Sequence, residues 1–352
     1  MELYIHIGTE KTGSSYVQTL FAQNRMLLES SGYYFPHAGK REKDMLSGRI
    51  SPGNAAVLSN LIEQEDWKEV SSWLKTRMEQ ARNANLNKML LTNETLVKGL
   101  SGEGKLSRFE KLYKDLGIEV IHFLLVLRDP VDQALSLYKH RAKRGNSPPL
   151  EKWLQAGYYL PQHLSGLFKQ LGAHKLTVRK YKENGDELAS VFFKDWLNMT
   201  KPDSLDDTRV NPSLSLSELE VLRQIRQQDP DMANIFYERM LKIPVAEKSD
   251  DRFLKNFYKR TIQNFISGNV LVWEHCNRLL PEAEQLKIPM KAAQIDLTEY
   301  SLSFSLIQTE AWVKLQKQSR TMSFRQKLYF NARLRPMLAK IKSGVLKLFT
   351  AL

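Results

Sequence analysis

The chain has 352 residues, of which 42% are hydrophobic and 26% charged, a composition typical of a globular protein with a sizeable core. Its single cysteine, Cys276, excludes an internal disulfide and a multi-cysteine metal site, and no apolar run approaches the roughly 20 residues of a transmembrane helix. The net charge of +13 is concentrated beyond Ser301, so it characterises a tail rather than the whole fold.

The first 200 residues alternate strand-like apolar runs with helical patterns, which predicts a three-layer α/β fold with a parallel sheet flanked by helices. The predicted strands are Leu3–Ile7, Lys88–Thr92, Val120–Leu127 and Leu176–Tyr181. Helices are expected from about Ser14 to Ser30, from Pro130 onward, and through about Asn198. Because the first strand starts almost at the initiator, we expect no signal peptide and a cytoplasmic protein.

Beyond Thr200 no strand alternation continues, and the remaining sequence has helical patterns. The sequence therefore predicts two parts. Residues 1–215 form an α/β domain, and residues 216–352 form a helical C-terminal region that ends in a basic amphipathic tail.

The first predicted strand leads directly into a glycine-rich turn over residues 8–15 (GTEKTGSS) and then into a helix. Such a turn points backbone N–H groups outward at a helix N-terminus, which is a ready site for an anion. The phosphate loop of nucleoside triphosphatases has a lysine after its second glycine. Here Lys11 lies two residues before Gly13, and Ser14 takes the usual lysine position. The turn therefore predicts a phosphate site and argues against ordinary ATP hydrolysis.

A second candidate site begins at the end of the third predicted strand, where Arg128 is followed by Asp129-Pro130. Proline suits a first helical turn, and an acid there favours the helix dipole. Ser136 lies about one and a half turns into this helix, near enough to its start to share a ligand with Arg128. Arginine forks onto phosphate oxygens, and a hydroxyl can complete the site. Arg128 and Ser136 therefore suit a phosphate monoester placed away from the first loop.

Together these motifs resemble those of the sulfotransferases that use 3′-phosphoadenosine 5′-phosphosulfate (PAPS). Residues 11–15 resemble the family's 5′-phosphosulfate loop, K-[ST]-G-[ST]-[ST]. The segment from Arg128 to Tyr138 is similar to its 3′-phosphate site, R-[DN]-P-x-x-x-x-x-S-x-Y. The stretch from Ile5 to Pro36 is similar to a bacterial, carbohydrate-type branch, and the likeness covers about the first 215 residues.

The resemblance implies a P-loop-like sulfotransferase fold and a role for each matching residue. Lys11 would contact the phosphosulfate bridge and stabilise the leaving group, and Arg128 with Ser136 would hold the 3′-phosphate. The residues implied to hold the 5′-phosphate are Thr12, Gly13, Ser14 and Ser15. Tyr16 stands where cytosolic relatives carry a tryptophan against the adenine. Arg209 would substitute for an R-K-G motif that those relatives carry and this sequence lacks.

Transfer of a sulfuryl group to a hydroxyl also needs a base, because the attacking oxygen must lose its proton. Glu94 is the first candidate, since it follows a strand's C-terminal end, where doubly wound sheets bind ligands. Bacterial relatives often carry a similar S-S-E there, and His37 is the second candidate. Sulfuryl carries less negative charge than phosphoryl, so lysine and backbone dipoles can replace a metal ion. We therefore expect PAPS as donor, no metal, and a polysaccharide or lipid-linked saccharide as acceptor.

Two other functions stay open. One is ATP-dependent phosphoryl transfer through the same loop, against which the missing lysine after Gly13 argues. The other is a non-catalytic protein that binds a nucleotide or a membrane. The presence of Lys11, Arg128 and Ser136 together argues against that reading.

The tail from Ser301 to Leu352 contains ten lysines and arginines against one acid, Glu310. Aliphatic residues recur within it at steps of three and four, which predicts an amphipathic helix (Leu334, Leu338, Ile341, Val345, Leu348 and Leu352). This helix either docks on the protein's own core or contacts an anionic membrane through residues 323–352, which would make the protein peripheral at the inner membrane face. A contact with a partner helix is the remaining alternative. We expect no nucleic-acid partner.

Overall fold

The computed structural model describes residues 1–49, 51–142, 145, 147–171, 176–203, 214, 219, 222–223, 225–227, 229–240 and 259–288. The strands are β1 (Glu2–His6), β2 (Tyr33–Tyr34), β3 (Lys88–Thr92), β4 (Val120–Leu127) and β5 (Leu176–Lys180). They form one five-stranded sheet in the order β2-β3-β1-β4-β5, and every neighbouring pair is parallel. The predicted α/β class with a parallel sheet is thus confirmed. The two-residue strand β2 was not predicted, because it is too short to show an alternating pattern.

Helices fill the connections between the strands. In the first half of the chain they are α1 (Ser14–Gln23), α2 (Arg25–Ser30), α3 (Glu42–Leu46), α4 (Ala56–Glu63), α5 (Trp67–Asn83), α6 (Leu96–Leu100), α7 (Lys105–Asp115) and α8 (Pro130–Ala142). They continue with α9 (Leu150–Ala156), α10 (Leu160–Gln170), α11 (Gly185–Ser190), α12 (Pro230–Met240), α13 (Lys259–Ser267) and α14 (Val270–Leu279). Two single turns of 3₁₀ helix, Gly39–Arg41 and Glu282–Glu284, and a π-helical segment are also present among the described residues.

The helix boundaries follow local chemistry. The helix expected from Ser14 to Ser30 is divided at Asn24, whose side chain and backbone N–H both donate to the carbonyl of Leu20. Helix α11 begins after Asn184, whose Oδ1 accepts from the N–H of Asp186 at 2.8 Å. It continues into a π-helical segment, Val191–Trp196. Helix α8 begins at Pro130, as predicted.

Both faces of the sheet are buried. On one face Tyr4, Leu90, Leu124 and Val126 join a core cluster with α1, α11 and the π-helical segment. The alternate residues are equally buried, which shows that the opposite face is covered too (Leu3, Ile5, Met89, Leu91, Phe123 and Leu125). Helix α5 contacts β3, and α4 packs against α5 and α6. Because both faces are covered, β3 and β4 are apolar over most of their length instead of alternating with polar residues.

Two compact units divide the described residues. The first consists of those within residues 1–133, 158–209 and 268–288, and it holds the whole sheet. The second consists of those within 134–157 and 210–267. In the second unit Arg226 donates to the carbonyls of Ala142 and Gly145, and α9 packs against α13. The predicted division at about residue 215 stays a prediction.

The described residues beyond Thr200 hold helices and no strand, as the sequence indicated. Across the described part of the chain, no helix combines the length and apolar character needed to cross a membrane.

Candidate functional site

The glycine-rich turn lies at the carboxyl end of the central strand. β1 is paired with β3 on one side and β4 on the other, so the strand order changes direction at β1. Because all strands are parallel, the loops that follow β1, β3 and β4 emerge at the same edge. Open α/β sheets bind ligands at this edge, in the crevice where the strand order reverses.

The turn begins by running along β4. The N–H of Thr9 donates to the carbonyl of Val126 at 3.3 Å, and the N–H of Val126 donates to the carbonyl of Gly8 at 3.0 Å. Gly8 has φ 113°, and a Cβ there would lie 2.5 Å from the carbonyl oxygen of Glu94. Only glycine allows this close approach. The structure thereby brings Glu94 against the first residue of the turn.

The N-terminus of α1 is open. Its N-cap residue is Gly13, with φ 77°, and it has neither a side-chain cap nor an acid in its first turn. A missing side-chain cap is shared with several other described helices, such as α2, α4 and α7, whereas α5 and α11 are capped by the side chains of Asp66 and Asn184. The first N–H groups of a helix have no intrahelical partners, and the helix dipole favours an anion there. The turn therefore has the geometry that its sequence predicted.

The predicted hydroxyl donors of the turn are not equivalent. Thr12 is buried, and its Oγ1 donates to the carbonyl of Thr9 at 2.6 Å, so this hydroxyl braces the turn. The hydroxyl of Ser14 is 3.5 Å from the same carbonyl, a long and weak bond that it can exchange for a ligand at small cost. Ser15 and Lys11 are half-buried, and Lys11 has φ 63°.

Arg128 is connected to the turn through Tyr181. The guanidinium carbon of Arg128 lies 5.1 Å from the centre of the Tyr181 ring. The ring also lies close to the turn, since a Cβ on Gly13 would lie 3.3 Å from Tyr181 Cε2 and would collide with Leu188. Burial raises the pKa of Tyr181, although the charge of Arg128 acts in the opposite direction. In the sequence Tyr181 had only marked the end of a strand.

The charges around Arg128 leave it accessible to a ligand. Its side chain is 24% exposed and lies 3.5 Å from the carboxylate of Glu183, which is 74% exposed. Because Glu183 is largely exposed, this pair is weak and can give way to a stronger anion. Asp129 is instead held by Lys180 at 2.9 Å and by the N–H of Lys287 at 2.7 Å. Asp129 is therefore a structural residue of the sheet edge.

A residue that sequence reasoning missed, Gln133, contacts the turn directly. It lies on α8 and is 2% exposed. Its Nε2 donates to Thr9 Oγ1 and, at 2.8 Å, to the carbonyl of Glu10. No motif marks this position in the sequence, because the contact joins residues more than 120 positions apart.

Glu94, the first candidate base, lies on a well-held turn after β3. The Oδ1 of Asn93 accepts from the N–H and the hydroxyl of Thr95, both at 2.8 Å. Asn93 also donates through Nδ2 to the carbonyl of Pro52 and through its N–H to the carbonyl of His6. These bonds fix the backbone on both sides of Glu94, whose side chain is half-buried.

His37, the second candidate base, has different surroundings. Its side chain is 69% exposed, and its Nδ1 lies 3.2 Å from the carboxylate of Glu42, which also pairs with Arg25. It follows the edge strand β2, two strands away from β1, whereas Glu94 follows the neighbouring strand β3. Of the two candidates, Glu94 is the one whose backbone the structure places beside the turn.

The remaining predicted site residues are Tyr16, Ser136 and Arg209. Tyr16 is half-buried and packs against the core cluster, as Tyr181 does. Ser136 lies on the part of α8 that belongs to the second unit, so its pairing with Arg128 stays a prediction. Arg209 lies outside the described residues, as does the tail segment 323–352.

The fold and the site define an α/β protein with an uncapped helix N-terminus at the switch point of its sheet. Among the described side chains, no group of three or more His, Cys, Asp or Glu is arranged to hold a metal ion. The chain matches no protein-family model, no curated protein and no solved structure.

Proposed function

We propose that this chain is a PAPS-dependent sulfotransferase with a P-loop-like fold, which transfers a sulfuryl group to a hydroxyl of a polysaccharide or lipid-linked saccharide. The observation that carries the proposal is the pairing of two anion-binding features at one edge of the sheet. One is the uncapped N-terminus of α1 with Lys11 two residues before its N-cap. The other is Arg128, separated from Gly13 by the ring of Tyr181.

This arrangement fits a donor with phosphate groups at both ends of its ribose. The N–H groups at the start of α1, with the hydroxyls of Ser14 and Ser15, would hold the 5′-phosphosulfate. Arg128 would hold the 3′-phosphate by a forked contact, with Ser136 completing the site. A nucleotide that lacks the 3′-phosphate would leave Arg128 unused. The proposal therefore requires the protein to bind a nucleotide with a 3′-phosphate more tightly than the same nucleotide without it.

The chain's own residues would divide the chemistry between them. When bound, PAPS supplies the sulfuryl group, and its phosphate keeps the bridging oxygen as the sulfur bonds to the acceptor oxygen. Lys11 would stabilise the negative charge on that phosphate, which is greatest as the bond breaks. Glu94 would accept the proton of the acceptor hydroxyl. Neither role uses a metal ion.

The first test is nucleotide binding measured by calorimetry. We expect 3′-phosphoadenosine 5′-phosphate (PAP) to bind more tightly than adenosine 5′-phosphate, and Arg128→Ala to remove most of this preference. A lost charge-assisted contact costs about 1.5–3 kcal/mol, or roughly 10- to 150-fold in affinity. The control is Arg179→Ala, because its side chain is 25% exposed, as that of Arg128 is 24% exposed. This variant should keep the preference.

Three outcomes would contradict the assignment. Equal binding of the two nucleotides would remove the evidence for a 3′-phosphate site. Tighter binding of ATP with magnesium would favour phosphoryl transfer instead. Binding of PAP without transfer of labelled sulfate to any saccharide acceptor would favour a non-catalytic nucleotide-binding protein.

A further inference from the structure

The amide of Gln133 forms two hydrogen bonds with the turn that carries Lys11. Gln133 is buried, and its Nε2 donates both to the hydroxyl of Thr9 and to the carbonyl of Glu10. The hydroxyl of Thr9 in turn donates to the carbonyl of Val126 in β4 at 3.1 Å. The side chain therefore ties α8 to the turn and, through Thr9, to β4.

The bond to Glu10 bears directly on Lys11. The carbonyl that accepts it belongs to the peptide group between Glu10 and Lys11, so the bond fixes the plane of the peptide that leads into Lys11. Lys11 has φ 63°, in the left-handed region that is costly for a residue with a side chain. A conformation of this kind persists only when surrounding contacts hold it.

The rest of the turn is anchored elsewhere. Gly8 is held against Glu94 and β4, and Gly13 against Tyr181 and Leu188. The Thr12 hydroxyl braces the turn from within through the carbonyl of Thr9, whereas the Gln133 amide holds the middle of the turn from α8. Because Gln133 lies five residues after Arg128, it also links the helix that follows Arg128 to this turn.

We infer that Gln133 is a positioning residue, which holds the Glu10–Lys11 peptide so that the ammonium group of Lys11 meets the leaving phosphate. This inference rests on the proposed function. Gln133 itself need not contact the donor. Its loss should misplace Lys11 in the transition state while leaving the N–H groups of α1 and the guanidinium of Arg128 in place.

The experiment compares two glutamine substitutions in the full chain. Gln133→Met keeps the length and helix propensity of the side chain but removes the amide. The control is Gln170→Met, since Gln170 also lies on a helix and donates to three backbone carbonyls, those of Leu100, Ser101 and Gly166. A second variant, Gln133→Leu, also removes the amide and keeps a good helix former at this position. It guards against a folding defect peculiar to methionine.

Kinetics and amide exchange give separate readouts. We expect both Gln133 variants to lower kcat by roughly 10- to 100-fold, with the KM for PAPS within a few-fold of wild type. Combined with Lys11→Ala, Gln133→Met should lower kcat no further, because the group that it positions is gone. Hydrogen exchange in peptides covering residues 8–13 should become faster in the Gln133 variants and stay unchanged in Gln170→Met.

The outcomes distinguish this inference from the proposed function. Wild-type kcat, or unchanged exchange of residues 8–13, in both Gln133 variants would overturn the positioning role. An equally large additional loss in the Lys11→Ala background would also overturn it. A wild-type protein that neither prefers PAP nor transfers sulfate would instead refute the proposed function. The exchange measurement would still decide whether Gln133 holds the turn.

Discussion

The guanidinium of Arg128 lies over the ring of Tyr181, with 5.1 Å between the guanidinium carbon and the ring centre. The same ring borders Gly13, the N-cap residue of α1, since a Cβ there would lie 3.3 Å from Tyr181 Cε2. One aromatic ring therefore contacts both of the features proposed to bind phosphate. The contact also joins Arg128, which follows β4, to Tyr181, which follows β5.

Removing the ring should weaken the proposed 3′-phosphate site without removing Arg128. Tyr181→Leu should lower the affinity for PAP by about 0.5–2 kcal/mol, because the guanidinium loses its cation–π contact and its fixed position. Tyr181→Phe keeps the ring and should bind PAP almost as wild type does. Calorimetric titration with PAP measures both effects. Equal loss in the two variants would show that the hydroxyl, and not the ring, is what matters.

Gly13→Ala should destabilise the protein more than Gly104→Ala. Both glycines cap helices with positive φ, 77° and 68°, so both substitutions carry about 1–2 kcal/mol of backbone strain. A Cβ on Gly104 would meet nothing within 4 Å, whereas one on Gly13 would press on Leu188 and Tyr181. That overpacking should add roughly 1–3 kcal/mol.

Urea unfolding of the two glycine variants measures this difference, and PAP titration should show a loss of binding for Gly13→Ala alone. If the two variants lost the same free energy of unfolding, the close contact of Gly13 with its neighbours would be disproved.

Glu94→Gln should reduce turnover while His37→Ala retains it. A base that removes the proton of the acceptor hydroxyl contributes roughly 100-fold or more to the rate. Glu94 lies beside Gly8 at the start of the turn, whereas His37 is exposed and pairs with Glu42. Initial rates of sulfate transfer at saturating PAPS measure the difference. An active Glu94→Gln enzyme beside an inactive His37→Ala enzyme would reverse the assignment.

The buried His6 should make the protein less stable as the pH falls below about 6.5. Burial lowers the pKa of His6 to about 3, although a backbone hydrogen bond at Gly8 opposes the shift, and its Nδ1 lies 2.9 Å from the hydroxyl of Thr92. Between these two pKa values the unfolded chain binds a proton that the folded protein does not. Stability contributed by the neutral ring is therefore complete above the unfolded pKa and is lost as the pH falls through this window.

The expected slope is about 1.4 kcal/mol per pH unit, or about 2 kcal/mol at pH 5. Urea unfolding at pH 7 and pH 5 measures it, with His6→Gln as the control that cannot take up the proton. We expect a shallower dependence in the variant. Identical slopes in the two proteins would show that His6 is not the group responsible.

The basic tail gives a prediction independent of the site. Its apolar stripe beside lysines and arginines should bind anionic membranes by apolar burial plus about 1 kcal/mol per basic residue near the surface. We expect the full chain to sediment with anionic liposomes at low salt and to be released as salt rises. Truncation before Ser323 should abolish sedimentation and leave PAP binding intact. A tail docked on the core predicts the opposite, a lower Tm after truncation and no response to liposomes.

Local sequence patterns were sufficient to predict much of the fold. The bounds of β3 and β4 were predicted to the residue, because each is a mostly apolar run, and charged residues flank β4 on both sides. The start of α8 followed from Pro130, whose fixed φ suits a first helical turn. The open N-terminus of α1 likewise followed from the glycine-rich turn, since the need for a positive φ at Gly13 is a property of the backbone there. Each of these features depends on interactions between residues close in the chain.

Other features required the packing of distant segments. The central place of β1 between β3 and β4 is a matter of which strands pair, and periodicity carries no information about that. Glu94 reaches the turn because the backbone of Gly8 packs on it, and Tyr181 reaches it because β5 pairs with β4. Gln133 looked like any polar residue on a helix, yet its burial against Thr9 makes its amide a donor to the turn. Such roles arise from contacts between residues far apart in the chain. A polar side chain that is buried by these contacts needs a hydrogen-bond partner, and the fold decides which partner it finds.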